Sequence, residues 1–373
     1  MPDSPLAARF LQIHTLTSYA AALLNRDDTG LAKRLPYGGT IRTRISSQCL
    51  KRHWRLADDP HALHAIDGAE PAFRSRELVT RKVIAPLREA FSKEVVDALE
   101  PEMQMALYGD KGGTKQGRQT LLFGETELAW LAAEAQALAR AAPNAASAKA
   151  AAAEWRKAQK GSLKAMTQGA TLPGGLTAAL FGRMVTSDPE ANIAAPVHVA
   201  HAFTVHGEES ESDYFTAVDD LSDDEPGAGT IQETELTSGL FYGYVVVDLP
   251  GLHANLGGDA RLMGEVLHNL VHLIAEVSPG AKLGSTAPYG RAALMLLEAG
   301  DRQPRSLAEA FRARIAPQVP AAEAALWDHL AVLDTAYATG EERCYLSLSN
   351  TQRPAARGSL AELAAWARAL AQP

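Results

Sequence analysis

Between Asn25 and Arg55 the chain carries eight cations (Arg26, Lys33, Arg34, Arg42, Arg44, Lys51, Arg52 and Arg55) against two acids, Asp27 and Asp28, although all 373 residues together sum to −8. A cationic strip on an anionic background suits a polyanion, whose phosphates need Lys and Arg but no base-specific groups. Asp27 and Asp28 beside such a strip have the donor set for Mg²⁺; they would equally order their own loop by pairing with Arg26, Lys33 or Arg34. A third candidate is His268 and His272, spaced i, i+4 in HNLVH. The glutamate of the zinc-protease motif is missing there, with Asn269 in its place, and His61 and His64 sit in a loop-like DDPHALHA. No metal and no cofactor is therefore expected.

The strip needs elements to hold it. Ser46 or Ser47 can cap a helix starting near Gln48, because a hydroxyl accepts from the free N–H groups of the first turn. At 3.6 residues per turn Gln48, Lys51, Arg52 and Arg55 share one stripe, while Cys49, Leu50, His53 and Trp54 take the opposite face. Gly38-Gly39 allows a sharp turn before the strand-like Thr40–Ile45. Two readings fit: a phosphate site at a helix N-terminus, where amides and the dipole favour anions, or an ordinary amphipathic helix with solvated cations. The loop GDKGGTKQG, residues 109–117, lacks a G-K-[ST] ending, which argues against nucleotide hydrolysis, and no G-x-S-x-G elbow is present.

The chain is 46% hydrophobic and 21% charged, ordinary for a globular protein. No apolar run approaches the roughly 20 residues that cross a bilayer, the N-terminus lacks a signal-peptide pattern, and Cys49 and Cys344 form no C-x-x-C pair. A cytoplasmic protein without a membrane partner is expected. Phe10–Leu16, residues 196–206 and residues 240–247 read as strands, the last a central one, and residues 60–180 as mostly helical. Residues 207–235 hold eleven acids and no Lys or Arg. A connection of that length is functional or disordered, and Tyr214, Phe215 and Val218 argue against disorder. A helix over 259–277 and strands at 292–298 and 344–348 complete a β-α-β-β-α-β order, the ferredoxin-like or RRM-like α+β core.

The run H-x-L-T-S-Y…L-N-R-D-D-x-G…Y-G-G-x-x-R-x-R-I-S-S-Q-x-L-K-R, with Leu180–Ser187, His201–His206, Tyr214–Leu221, Ser238–Tyr242 and Pro279–Lys282 following in order, resembles the backbone subunit of the type I-E CRISPR Cascade complex. That family, often called CasC, belongs to the RAMP superfamily. The resemblance spans roughly residues 10 to 300. It implies an RRM-like core over 1–58, 181–206 and 238–373, a helical insertion (fingers) over 59–180, and an acidic thumb hairpin over 207–237. It implies a non-catalytic subunit that lines up in several copies along a CRISPR RNA, with target DNA and other Cascade subunits as partners. The matching positions place Arg26, Lys33, Ser46, Gln48, Lys51, Arg52 and Arg55 on the guide RNA, with Arg42 and Arg44 added by their place in the strip. Tyr214, Phe215, Thr216 and Val218 of the thumb, with Met184 nearby, would wedge between bases. Lys111, Lys115, Arg118, Lys157, Lys160 and Lys164 of the insertion, with Lys149 and Arg156, are the cations offered to target DNA. Two alternatives stand beside this: a metal-dependent RNA endonuclease using Asp27 or Asp28, as in type III relatives, and a general single-strand RNA-binding protein.

Overall fold

The computed structural model describes residues 6–159, 172–185, 191–218 and 228–372, a mixed α+β protein. The chain divides into two units: Met1–Leu63 with Val197–Pro250 and Met263–Pro373, and His64–Pro196 with Gly251–Leu262. Residues 181–196 therefore cluster with the insertion, not with the core.

Twelve strands are described: β1 Phe10–Ala22, β2 Arg34–Tyr37, β3 Thr40–Ile45, β4 Ala72–Ser75, β5 Leu121–Gly124, β6 Val197–Val199, β7 Ala202–Thr204, β8 Glu209–Val218, β9 Ala228–Asp248, β10 Ala292–Gly300, β11 Glu342–Ser347 and β12 Ala356–Arg357. In the first unit ten of them form one sheet in the order β12-β11-β10-β1-β9-β7-β3-β2, with β6 and β8 also paired to β9. Helix Ser47–Arg55 lies between β1 and β7 in the chain, and helix Ala260–Glu276 between β9 and β10.

β1 is buried from Phe10 to Leu16 without alternation, because both faces of the sheet are covered. On one face Leu16, Tyr242, Leu294, Leu296 and Tyr345 pack with Ala322, Leu326, Trp327 and Leu330 of helix Val319–Tyr337. On the other, Ile45, Ala202 and Phe241 meet Cys49 and Leu50. A sheet buried on both sides gives no open platform for stacked bases.

The single strand read over residues 196–206 is two. β6 pairs Val199 with Val245, but β7 pairs Phe203 with Tyr242, so the register slips by one residue between them. The slip turns His201 out to solvent while Val197, Phe203 and Val205 stay buried.

In the second unit the Ala-rich stretch breaks where Pro143 predicts. Helices Glu125–Ala141 and Ala145–Ala158 flank Asn144, whose side chain accepts from the Ser147 N–H at 3.0 Å. Local periodicity did not reveal the two-stranded β4–β5 ribbon, whose partners lie far apart in sequence. The glycine loop is two short 3₁₀ turns, Asp110–Gly113 and Lys115–Gly117, closed by Arg118 Nε donating to the Gly112 carbonyl at 2.8 Å. A Cβ on Gly117 would stand 2.1 Å from the Lys111 carbonyl oxygen, so this packing requires glycine.

Candidate nucleic-acid interface

Helix Ser47–Arg55 is capped by Ser46, whose Oγ accepts from the Cys49 N–H at 3.3 Å. The two faces fall as the spacing predicts: Trp54 is buried, whereas Gln48 and Arg52 are exposed and Lys51 and Arg55 half-buried. Ser46 itself is buried and serves the cap. Asn25 braces the same corner, its Oδ1 accepting from the Ser46 N–H at 2.9 Å and its carbonyl from the Lys33 N–H at 3.0 Å.

His201, freed by the bulge, joins the strip. Its Nδ1 accepts from the Ser47 N–H at 3.1 Å and lies 3.4 Å from Arg44 Nη1. Burial, and after it the charges of Arg44, Lys33 and Lys51, hold its pKa below the ordinary value. Arg44 therefore stands at the ring beside the helix N-terminus, and the charges of Lys33 and Lys51 act on the same ring. Cys49 stays a thiol, pushed up to about 11 by burial despite Lys33 and Arg52.

Arg42 corrects the sequence reading. β3 places Ile41 outward, 47% exposed, and Arg42 inward at 0%. The Arg42 guanidinium donates to the carbonyls of Tyr37, Thr204, Phe311 and Arg312 at 3.0–3.3 Å, so it binds loop ends of its own fold. Arg44 remains accessible, with Nε donating to the Arg34 carbonyl at 3.1 Å. Arg34 is taken up within the chain by Glu208, at 2.5 Å, and by Glu235. The Glu235 carboxylate also accepts from the Ala32 N–H at 2.6 Å. The base of the acidic segment thus locks onto the chain's own basic loop.

Arg26 is exposed, and Asp28 with it. Asp27 orders its loop, though not through the cations suggested by proximity in sequence. Its Oδ1 accepts from the Thr29 N–H at 2.9 Å, the Thr29 hydroxyl at 2.8 Å and the Leu31 N–H at 3.0 Å, and these bonds lower its pKa.

The acidic segment forms a hairpin. β8 pairs with β9 from Glu209↔Ser238 to Val218↔Ala228, and β1 reaches only as far as Thr237 on the other side of β9. Successive residues face opposite sides, so Tyr214 and Phe215 diverge; they are 63% and 41% exposed. The Tyr214 ring is therefore not buried in a core. Phe215 meets Lys282, whose Nζ lies 5.2 Å from the ring centroid and donates to Thr234 Oγ1 at 2.5 Å. Thr216 and Val218 occupy the same strand, and their side chains lie outside the described residues. Lys282 and His201 were not singled out by sequence reasoning, although both stand in segments that carry the family resemblance.

In the second unit Met184 is 75% exposed. Lys111, Lys149 and Lys157 are exposed. Lys115 pairs with Glu77 at 3.0 Å, and Arg156 with Glu102 and Asp110 at 2.8 and 3.0 Å. Lys160 and Lys164 lie outside the described residues.

The geometry defines an α+β protein whose cations gather at one helix N-terminus beside a long acidic hairpin. A family model described as CT1975-like protein matches residues 11–369, and the chain belongs to that family. It is similar to a chain of a CRISPR RNA-guided surveillance complex in a pre-nicking state, with 26% identity, a TM-score of 0.80, and coverage of 97% of this chain and 100% of that one. A chain of a second CRISPR RNA-guided surveillance complex shares the fold at 22% identity and TM-score 0.60, covering 96% and 99%. A search of curated protein sequences gave no match. The resemblance to surveillance-complex subunits drawn from the motifs is thus borne out.

Proposed function

We propose that this chain is a guide-RNA-binding backbone subunit of a type I-E Cascade complex, several copies of which line up along one CRISPR RNA. The observation that carries this is Arg44 beside His201 at the N-terminus of helix Ser47–Arg55, where the charges of Lys33 and Lys51 also act, in a chain similar over 97% of its length to a chain of a surveillance complex. These cations grip phosphates without reading sequence, and base pairing supplies the specificity. The four central strands β10-β1-β9-β7 stand in the spatial order 4-1-3-2 of an RRM-like core. The β8–β9 hairpin acts as the thumb, with Tyr214 and Phe215 wedging between bases. Target DNA runs along the exposed cations of the insertion, Lys111 and Lys157 among them. The subunit works in the cytoplasm with other Cascade subunits and cuts nothing itself, since Asp27 is occupied by its own loop.

Co-expression with and without a CRISPR RNA, followed by mass measurement, tests this. The expected outcome is a discrete multi-copy assembly with the guide alone, which then holds a complementary strand intact in Mg²⁺. A monomer under both conditions overturns the assembly. Regularly spaced cuts that vanish in Asp28→Ala make the protein an endonuclease.

A further inference from the structure

The fold brings together three histidines that the sequence keeps far apart. His268 and His272 stand one turn apart on helix Ala260–Glu276, and His61 reaches them from the segment that follows the basic helix. One ring nitrogen from each lies within 4.8 Å of one from each of the others. The His61 and His272 rings are stacked in parallel with centroids 3.6 Å apart, and His268 lies 5.0 Å from His272.

Each ring also has an oxygen at its Nδ1. Asp59 Oδ1 is 3.3 Å from His61, Asn269 Oδ1 is 3.0 Å from His268, and Glu276 Oε2 is 3.4 Å from His272. An acceptor at Nδ1 draws the proton there and leaves the lone pair on Nε2, the arrangement that orients metal-binding imidazoles. Asp59 fixes its segment as well, accepting from the His61 N–H at 2.8 Å. Arg291 lies 3.3 Å from the other oxygen of Glu276, holding that carboxylate in place.

From this geometry we propose that His61, His268 and His272 form a site for a divalent transition metal of the zinc class. Imidazole nitrogen suits Zn²⁺, three histidines are an established ligand set, and a water completes the tetrahedron. Zn–N bonds of about 2.0 Å put ligand nitrogens about 3.3 Å apart. Closing to that distance takes a rotation of the His61 ring out of its stack. The bound ion would clip the segment leaving the basic helix to helix Ala260–Glu276. The proposal does not depend on the guide-RNA reading.

The test uses full-length protein without an affinity tag, stripped with a chelator and titrated with Zn²⁺ by calorimetry and with Co²⁺ by visible absorption. One ion per chain is expected, together with a metal-dependent rise in melting temperature. His61→Ala and His268→Ala should abolish both effects, and Asn269→Ala, which removes only an orienting acceptor, should weaken Zn²⁺ binding about 10- to 100-fold. Melting of each variant without metal reports its folding. If the variants do not fold, X-ray absorption at the zinc edge of the loaded wild type decides: three imidazole nitrogens in the first shell support the site, and any other set overturns it. No saturable binding by wild type, or binding unchanged in His61→Ala, leaves a metal-free imidazole stack and overturns the proposal.

Discussion

His14 Nε2 donates to Glu298 Oε1 at 3.0 Å, and both side chains are fully buried in the middle of the sheet. A carboxylate only accepts, so the His14 proton sits on Nε2, and Nδ1 accepts from the Tyr242 hydroxyl at 2.9 Å. Arg305 and Arg343 complete the cluster, donating to Glu298 at 2.7–2.9 Å. Burial pushes the His14 pKa below the ordinary 6.5, outweighing the pull of Glu298. Burial alone would raise Glu298, but the hydrogen bonds from His14 and Arg305 hold its carboxyl far below the ordinary 4.5. Both shifts have the same consequence: at low pH the unfolded chain binds more protons than the folded one. Stability should decline as pH falls below about 6.5 and more steeply below about 4.5. Denaturant midpoints between pH 8 and pH 4 check this, and a flat profile in the wild type would refute it. In His14→Gln the upper part of the decline should become shallower, leaving the share of His201, whose pKa is also lowered.

Arg42 is expected to behave as a core residue. Arg42→Ala leaves several buried carbonyls without donors, each loss worth about 1–3 kcal/mol, so the variant should be destabilised by about 3 kcal/mol or more. Arg42→Lys should rescue little, since an ammonium cannot span four carbonyls placed around a planar fork. Chemical denaturation measures both. A near-neutral Arg42→Ala would return this residue to the candidate RNA-binding set.

Lys51 and Arg55 should act through charge. The double variant Lys51→Ala/Arg55→Ala should bind guide RNA of any sequence more weakly, and its log–log salt slope should flatten by roughly 0.7 for each phosphate that is no longer neutralised. Binding isotherms at several salt concentrations give the slope. An unchanged slope removes these residues from the interface.

The hairpin should matter for assembly more than for folding. Deleting residues 209–233 spares Glu208 and Glu235, which hold Arg34, and the sheet up to Thr237. The monomer should melt close to wild type, yet fail to build ordered arrays on guide RNA. Electron microscopy of the arrays decides, with Tyr214→Ala/Phe215→Ala as the milder variant. Normal arrays from both would end the wedge reading.

Much of the local architecture was legible in the residues. The Ser46 cap, the two faces of helix Ser47–Arg55, the break at Pro143-Asn144 and the central strand over 240–247 rest on hydroxyl chemistry, helical period and apolar runs, all short-range properties. What the tertiary structure decided concerns partners distant in the chain. Arg42 reads as a surface cation in Thr40–Ile45, but carbonyls of Thr204 and Phe311 claim it, and no local pattern announces an inverted strand. His201 falls inside the single strand read over residues 196–206, and only a one-residue slip against β9 turns it out. Asp27 turns to the amides of Thr29 and Leu31, while Arg34 is held by Glu208 and Glu235, from the two ends of the acidic segment. His268 and His272 look like two-thirds of a ligand set, and the third, His61, lies about two hundred residues upstream. Pairing register and long-range closure are set by packing free energy over the whole sheet, which no window of sequence contains.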